Sequence, residues 1–167
     1  MIYSKSLLII FFAAIAAILA LAPAGANDDI TVSEVLESAE KFFLSLKGND
    51  FHNVWRLLTE KSRLTIINDV YKSTRKIGGE ITKDEIRKDF ENSGMISSNY
   101  WRSFLNTFDP DMILKESRWE MVPIKKTTAE IIITHKKSRE PAILSLKKEN
   151  AVWKVGLVET FWTRKTL

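Results

Sequence analysis

The sequence predicts an α+β fold in which N-terminal helices pack against a four-stranded antiparallel sheet. Apolar residues recur at helical spacing up to about residue 108, and from about residue 113 they alternate with polar residues at every second position. Short polar turns separate the alternating runs, and connections of that length join antiparallel neighbours. Helices followed by strands are typical of the α+β class.

The helical part is expected to begin with an amphipathic helix over residues 32–47, for which Thr31-Val-Ser-Glu34 resembles a capping box. A short second helix follows Asp50, and Thr59 lies where the N-cap of a third helix would lie. The spacing of apolar residues predicts that this third helix extends to about Lys76.

Two more helices are predicted in the middle of the chain. Thr82-Lys-Asp-Glu85 is a second capping-box pattern, and a densely aromatic helical face extends from Tyr100 to Phe108. Asp109-Pro110 is expected to end the aromatic helix, because the residue before a proline avoids the helical conformation.

The four alternating runs cover residues 113–124, 127–137, 140–148 and 151–163, and we expect them to form a meander in that order. In the last run one acid shares the core-facing phase of an otherwise apolar row: Trp153, Val155, Leu157, Glu159 and Phe161. A carboxylate in such a row must be paired, hydrogen-bonded or at the mouth of a cavity. Glu159 is therefore the first candidate for a functional residue.

His135 is the other polar exception, since it shares the core-facing phase of Ile131 and Ile133 in the second run. The opposite phase also contains apolar residues: Ile132, Ile143, Val158 and Trp162. An apolar patch on the outer face of a sheet is a candidate surface for a partner or for a second copy of the chain.

Residues 1–26 are typical of a secretory signal peptide. Lys5 precedes an uncharged apolar segment, and small residues occupy positions Ala24 and Ala26 before an acidic start. The expected product is a single domain over residues 27–167, located in the bacterial periplasm or secreted. The alternative is an uncleaved anchor, because the apolar segment approaches the length needed to cross a bilayer.

The composition of the chain excludes several kinds of site. With no cysteine, the chain has no disulfides, thiolate metal sites or cysteine nucleophiles. Residues 113–167 hold 12 Lys/Arg against 6 Asp/Glu, whereas residues 27–112 hold 12 against 15. The basic excess either protects strand edges from other chains or attracts an anionic partner such as a phospholipid headgroup or an envelope polymer.

Two stretches resemble the nuclear transport factor 2-like superfamily. Residues 42–63, FFLSLKGNDFHNVWRLLTEKSR, are similar to the family's first helix, its break and its second helix, and residues 148–159, KENAVWKVGLVE, are similar to its closing hairpin. The resemblance implies a cone in which a bent sheet wraps around the helices, and a homodimer formed through the outer sheet face. Residues 77–112 depart from the family pattern.

The resemblance also implies roles for the candidate residues. In superfamily enzymes that resemble ketosteroid isomerase, a carboxylate base and an oxyanion donor face each other inside an apolar cone. By that resemblance Glu159 would be the base, His135 its acid or partner, and Tyr100 or Trp119 a hydrogen-bond donor, with Trp153 on the cavity wall. The simpler interpretation is that Glu159 is solvated or paired and that His135 lies at a hairpin end.

No catalytic motif, metal-ligand spacing or phosphate-binding loop occurs in the sequence. We therefore expect an exported, non-catalytic binding domain without cofactor or metal. Its expected partner is a small apolar molecule or an envelope protein and not nucleic acid, with membrane attachment only if the leader is retained. The alternative is a small-molecule enzyme or carrier that uses the acid at the cavity mouth.

Overall fold

The structure, a computed structural model, describes residues 24–138 and 140–162, and the predicted leader lies almost entirely outside them. Six α-helices come first: α1 (Ala24–Lys47), α2 (Phe51–Leu57), α3 (Glu60–Lys76), α4 (Lys83–Glu91), α5 (Met95–Leu105) and α6 (Pro110–Glu116). Four strands and a π-helical turn follow: β1 (Ser117–Met121), β2 (Thr128–His135), β3 (Ala142–Glu149), β4 (Val152–Gly156) and the turn Val158–Trp162. This order confirms the prediction of an α+β fold. The side-chain contacts and grooves described below lie within the compact unit Val32–Leu167.

Across residues 24–138 and 140–162, no helix is both long enough and apolar enough to span a membrane.

Two of the three predicted helix caps are confirmed. Thr59 Oγ1 accepts a hydrogen bond from Ser62 N–H at 3.2 Å, which caps α3. In the capping box of α4, Thr82 Oγ1 accepts from Glu85 N–H at 3.2 Å while Glu85 Oε2 accepts from Thr82 N–H at 2.8 Å. The cap predicted at Thr31 is wrong, because α1 already begins at Ala24 and Thr31 lies inside it.

The prediction that Asp109-Pro110 ends a helix is also wrong. α5 ends before it, at Leu105, and Pro110 is the first residue of α6. Asp109 Oδ1 accepts a hydrogen bond from Asp111 N–H at 2.9 Å, and a proline without its N–H is tolerated at a first helical position. Because α6 extends through Glu116, the strand predicted over residues 113–124 forms only from Ser117 to Met121.

The four strands form the predicted meander, in the order β1-β2-β3-β4 with all neighbours antiparallel. Trp119 pairs with Ile133, Ile131 with Leu144, and Leu146 with Val155, which brings the core-facing residues into one layer. Helix side chains complete this layer, and its largest fully buried members are Trp101, Phe42, Phe90, Leu46, Leu58, Ile66, Ile86, Ile131 and Leu157. Burial of this apolar layer is the main term that stabilises the fold.

The last predicted strand is the largest correction. β4 ends at Gly156, and the chain then turns into the π-helical segment, so the strand predicted over residues 151–163 is less than half that length. The alternation therefore fails beyond Leu157: Phe161, predicted to face the core, is 48% exposed, and Val158, predicted on the outer face, is buried.

Candidate functional site

Glu159 binds two hydroxyl groups at the N-terminus of α3. Ser62 Oγ donates to Glu159 Oε2 at 3.1 Å, and Thr59 Oγ1 lies 3.3 Å from both carboxylate oxygens. Both Thr59 and Ser62 are fully buried, whereas Glu159 is half-buried. A carboxylate at this end of a helix is also favoured by the helix dipole.

The hydroxyl protons can be assigned from the geometry. Thr59 Oγ1 lies 2.8 Å from Ser62 Oγ, and Ser62 Oγ also accepts from Val158 N–H at 3.2 Å. Each hydroxyl has one proton, so the set is satisfied when Thr59 donates to Ser62 and Ser62 donates to Glu159. This hydrogen-bonded chain, which we call the Thr59–Ser62–Glu159 cluster, joins α3 to the π-helical turn.

Gly156 provides the space into which Glu159 folds. A Cβ atom at position 156 would lie 2.8 Å from Glu159 Oε2 and 3.0 Å from Glu159 Cβ. Thr160 fixes the same turn, because its Oγ1 donates to Gly156 O at 2.6 Å and accepts from Ser145 N–H at 3.0 Å. The acid predicted within a core-facing strand row is therefore in a turn stabilised by side-chain hydrogen bonds.

His135 lies at the end of β2, in a different cluster. Its Nδ1 accepts from Lys137 N–H at 3.3 Å, and its Nε2 lies 3.3 Å from Glu116 Oε2. Because Nδ1 is an acceptor, the ring proton of the neutral form lies on Nε2 and is donated to Glu116. Lys136, then His135, hold the pKa of the Glu116 carboxyl below its usual range.

Glu159 and His135 are thus placed in separate clusters. His135 is paired with Ser117 at the β1–β2 end of the sheet, whereas Gly156, beside Glu159, is paired with Ser145 of β3. An acid–base pair needs hydrogen-bond reach of about 3 Å between its members or through one water. The described hydrogen bonds give these two residues structural partners instead.

Trp119 lies at the wall of an open groove between α1, α6 and β1. The groove has a volume of about 360 Å³ and is lined by Leu36, Glu40, Leu114, Ser117 and Trp119. We call it the α1–β1 groove. The indole is held in place because Nε1 donates to Ile113 O at 3.1 Å and Phe43 packs edge-on against the ring at 5.8 Å between centroids.

Tyr100 is in the aromatic layer of α4 and α5. Its ring makes edge-on contacts with Phe90 at 5.5 Å and with Trp101 at 5.0 Å. Burial, and to a smaller extent the charge of Asp69, raises the pKa of Tyr100 to about 12. Its surroundings are those of a core residue, with a raised pKa that opposes formation of a phenolate.

Trp153 is buried, at 3% exposure, beside a second groove of about 240 Å³ between α1 and the β3–β4 turn. Lys148 Nζ lies 5.5 Å from the centre of its ring and 3.4 Å from Glu34 Oε2. The backbone oxygen of Trp153 accepts a hydrogen bond from Ser38 Oγ at 2.7 Å, which connects α1 to β4.

Glu159 and Thr59 are both recognisable in the sequence, but the contact between them is not. Thr59 was identifiable as a cap from local pattern, while Ser62 gave no signal because a serine inside a helix is usually solvated. The α1–β1 groove is lined by Leu36 and Leu114 from two helices far apart in the sequence, so no local pattern could have predicted it. Within the described residues, no group of three or more His, Asp or Glu is arranged to hold a metal ion.

No protein-family model matches this chain, and neither a curated protein nor a solved structure matches it.

Proposed function

We propose that this protein is an exported, non-catalytic binding domain of the bacterial cell envelope that holds a small apolar molecule in the α1–β1 groove. The observation that carries the proposal is the groove itself, whose volume of about 360 Å³ falls in the range of small-molecule sites. An indole and two leucine side chains provide its apolar surface. Glu40 and Ser117 supply the few polar groups that would orient a ligand.

The hydrogen bonding of the two candidate catalytic residues supports binding rather than catalysis. The Glu159 carboxylate accepts from Ser62 and lies beside Thr59, and the His135 ring lies between Glu116 and Lys137 N–H. A general base must reach a proton of its substrate. Both side chains instead hold elements of the fold together.

The proposed location depends on the leader sequence. Lys5, the apolar segment after it and the small residues Ala24 and Ala26 are the parts that a secretory signal peptide needs. Intact-mass measurement of protein recovered from the periplasm should show a chain that begins at Asn27. A recovered mass that includes residues 1–26 would contradict cleavage and favour the retained anchor.

Ligand binding can be tested with N-phenyl-1-naphthylamine, an uncharged apolar fluorophore. Saturable enhancement of its fluorescence by the wild-type protein is expected, with one site per chain. Leu36→Gln should weaken binding by about tenfold, which corresponds to about 1.4 kcal/mol, because it places an amide against the bound ring system.

Leu44→Gln is the matched control, since Leu44 is on the same helix, is 49% exposed and does not line the groove. Its affinity for the fluorophore should equal that of the wild type. Equal affinities for all three proteins, or no saturable binding by the wild type, would rule out the groove as the site.

A further inference from the structure

β1 is one edge of the sheet, and its backbone groups alternate between β2 and the open side. Val122 N–H donates to Glu130 O at 3.0 Å, and Lys136 N–H donates to Glu116 O at 2.9 Å. In an antiparallel ladder such contacts recur at every second residue. The even-numbered residues of β1 therefore bond to β2.

The odd-numbered residues Ser117, Trp119 and Met121 consequently direct their N–H and C=O groups to the open side of β1. The sheet has no further strand on that side within the part of the chain that the structure describes. A row of unpaired strand groups is a template for pairing with another chain. In β1 this row is three residues long.

The opposite edge of the sheet is closed by contacts within the chain. Thr59 N–H donates to Val155 O at 2.9 Å, and Ser38 Oγ donates to Trp153 O at 2.7 Å. These are the outward-facing oxygens of β4. One edge of the sheet is thus covered by α1 and the α2–α3 junction, while the edge at β1 is left open.

We propose that two copies of the chain pair through β1, antiparallel and centred on Trp119, so that their sheets join across a two-fold axis. Such an interface is self-complementary, because each copy contributes the same strand. In this register Trp119 lies opposite Trp119 of the second copy, and Ser117 lies opposite Met121 of the second copy. All of these residues have outward-facing backbone groups, so each opposed pair exchanges two N–H···O=C bonds.

Charge complementarity selects this register. Arg118 and Glu120 lie on the outer face of β1 and form an ion pair within the chain at 2.7 Å. In the paired strands Arg118 lies opposite Glu120 of the second copy, in the closely spaced type of pair with about 4.5 Å between Cα atoms. Each copy therefore offers a cation opposite an anion, twice across the axis, and opposite charges in such positions stabilise strand pairing.

The α1–β1 groove leaves the helix side of this edge open. The groove, of about 360 Å³, lies between Leu36 of α1 and the β1 residues Ser117 and Trp119. Pairing through the edge places the two grooves on the same face of the joined sheet, one on each side of the axis. This interface differs from packing through the outer sheet face, and it does not depend on what the groove binds.

Sedimentation velocity over a range of concentrations tests the pairing. The wild-type protein is expected to show a reversible monomer–dimer equilibrium. R118E places an acid opposite Glu120, and E120R places a base opposite Arg118, so each variant alone should have a dissociation constant raised by at least about tenfold. R102E, at an exposed position on α5, makes the same charge change outside the edge and should leave the equilibrium unchanged.

An equal mixture of R118E and E120R chains tests whether complementary charges restore the dimer. In a mixed pair both acidic positions of one chain lie opposite both basic positions of the other, so dimers should form again with an affinity near that of the wild type. Recovery in the mixture also shows that both variants are folded. A mixture that stays monomeric, or a wild-type protein that is monomeric at every concentration, would overturn the proposal.

Amide hydrogen exchange followed by NMR identifies the interface at the level of single residues. On dilution from dimer to monomer, the amides of Ser117, Trp119 and Met121 should lose protection, while those of Arg118 and Glu120 stay protected by β2. A dimer whose formation leaves the three odd-numbered amides unprotected uses another surface, and it would refute pairing through β1.

Discussion

Ser62 Oγ donates a hydrogen bond to Glu159 Oε2 at 3.1 Å across 97 residues of sequence, and it accepts from Val158 N–H at 3.2 Å. One hydroxyl group thus holds both the acid and the backbone of the π-helical turn. This contact explains why the chain leaves β4 after Gly156 instead of continuing as a strand. The last apolar row of the sequence is therefore split between a strand and a turn.

Ser62→Ala should lower the free energy of unfolding by about 1–3 kcal/mol, because it leaves the buried Val158 N–H without an acceptor. The measurement is urea denaturation followed by tryptophan fluorescence. Ser73→Ala is the control on the same helix, at an exposed position, and should change stability by less than about 0.5 kcal/mol. Equal effects of the two substitutions would show that the cluster contributes nothing to stability.

The β3–β4 turn contains a strained residue that a glycine should relieve. Asn150 and Ala151 have φ angles of 49° and 64°, in the left-handed region where a Cβ atom is unfavourable. Ala151→Gly creates the Asn-Gly pair that two-residue hairpins prefer, so it should raise stability by about 0.5–1 kcal/mol.

Thermal unfolding monitored by circular dichroism would measure this change. Ala142→Gly is the matched control at an exposed strand position, where the left-handed argument does not apply and the glycine should destabilise. A melting temperature lowered by both substitutions would mean that Ala151 is not strained.

The pH dependence of stability should reveal the ion pairs that Glu116 makes with Lys136 and His135. Lys136, followed by His135, lowers the pKa of Glu116 from its ordinary value of 4.5. A carboxyl whose pKa is lower in the folded state than in the unfolded state stabilises the fold at pH values above its unfolded-state pKa. That stabilisation is lost as the pH falls through its folded-state pKa. The wild type should therefore be more stable than Glu116→Gln at pH 7, and the difference should shrink below about pH 4.5.

Melting temperatures of the two proteins between pH 7 and pH 2.5 provide the measurement. Glu130→Gln is a suitable control, because Glu130 is also an exposed acid of the sheet region. A constant difference between wild type and Glu116→Gln at every pH would contradict an electrostatic origin.

Local chemistry explains what the sequence predicted correctly. The caps at Thr59 and Thr82 need only residues within one helical turn, and the β2 residues Ile131 and Ile133 need only alternation. Both kinds of signal are complete within a few positions of the chain. The starts of α3 and α4 and the phase of β2 were therefore recoverable from sequence.

The errors arose where one local pattern fits two structures or where the deciding contact lies far away in the sequence. Asp109-Pro110 is compatible with the end of one helix and with the start of another, and here Asp109 caps α6, which packs against β1 and β2. Glu159 keeps a perfect strand phase in sequence, but Ser62, 97 residues away, donates a hydrogen bond to its carboxylate, and Thr59 lies beside it. No window of neighbouring residues contains that information.

Asp89 and Gly94 should be energetically coupled at the junction between α4 and α5. Asp89 caps α5 from the preceding helix: its carboxylate accepts from Ser97 N–H at 2.7 Å and from Ile96 N–H at 3.3 Å. A Cβ atom at Gly94 would lie 2.1 Å from Asp89 Oδ2, so the cap and a side chain at position 94 cannot both be accommodated.

Asp89→Ala should therefore lower the free energy of unfolding by about 0.5–2 kcal/mol, the usual range for a lost N-cap. Gly94→Ala should lower it by a similar amount, because the new methyl group displaces the same carboxylate. The double variant should be little worse than either single one, since the clash disappears with the carboxylate. Chemical denaturation of all four proteins gives the coupling energy. Additive costs would show that Gly94 is needed for a reason other than the space occupied by Asp89.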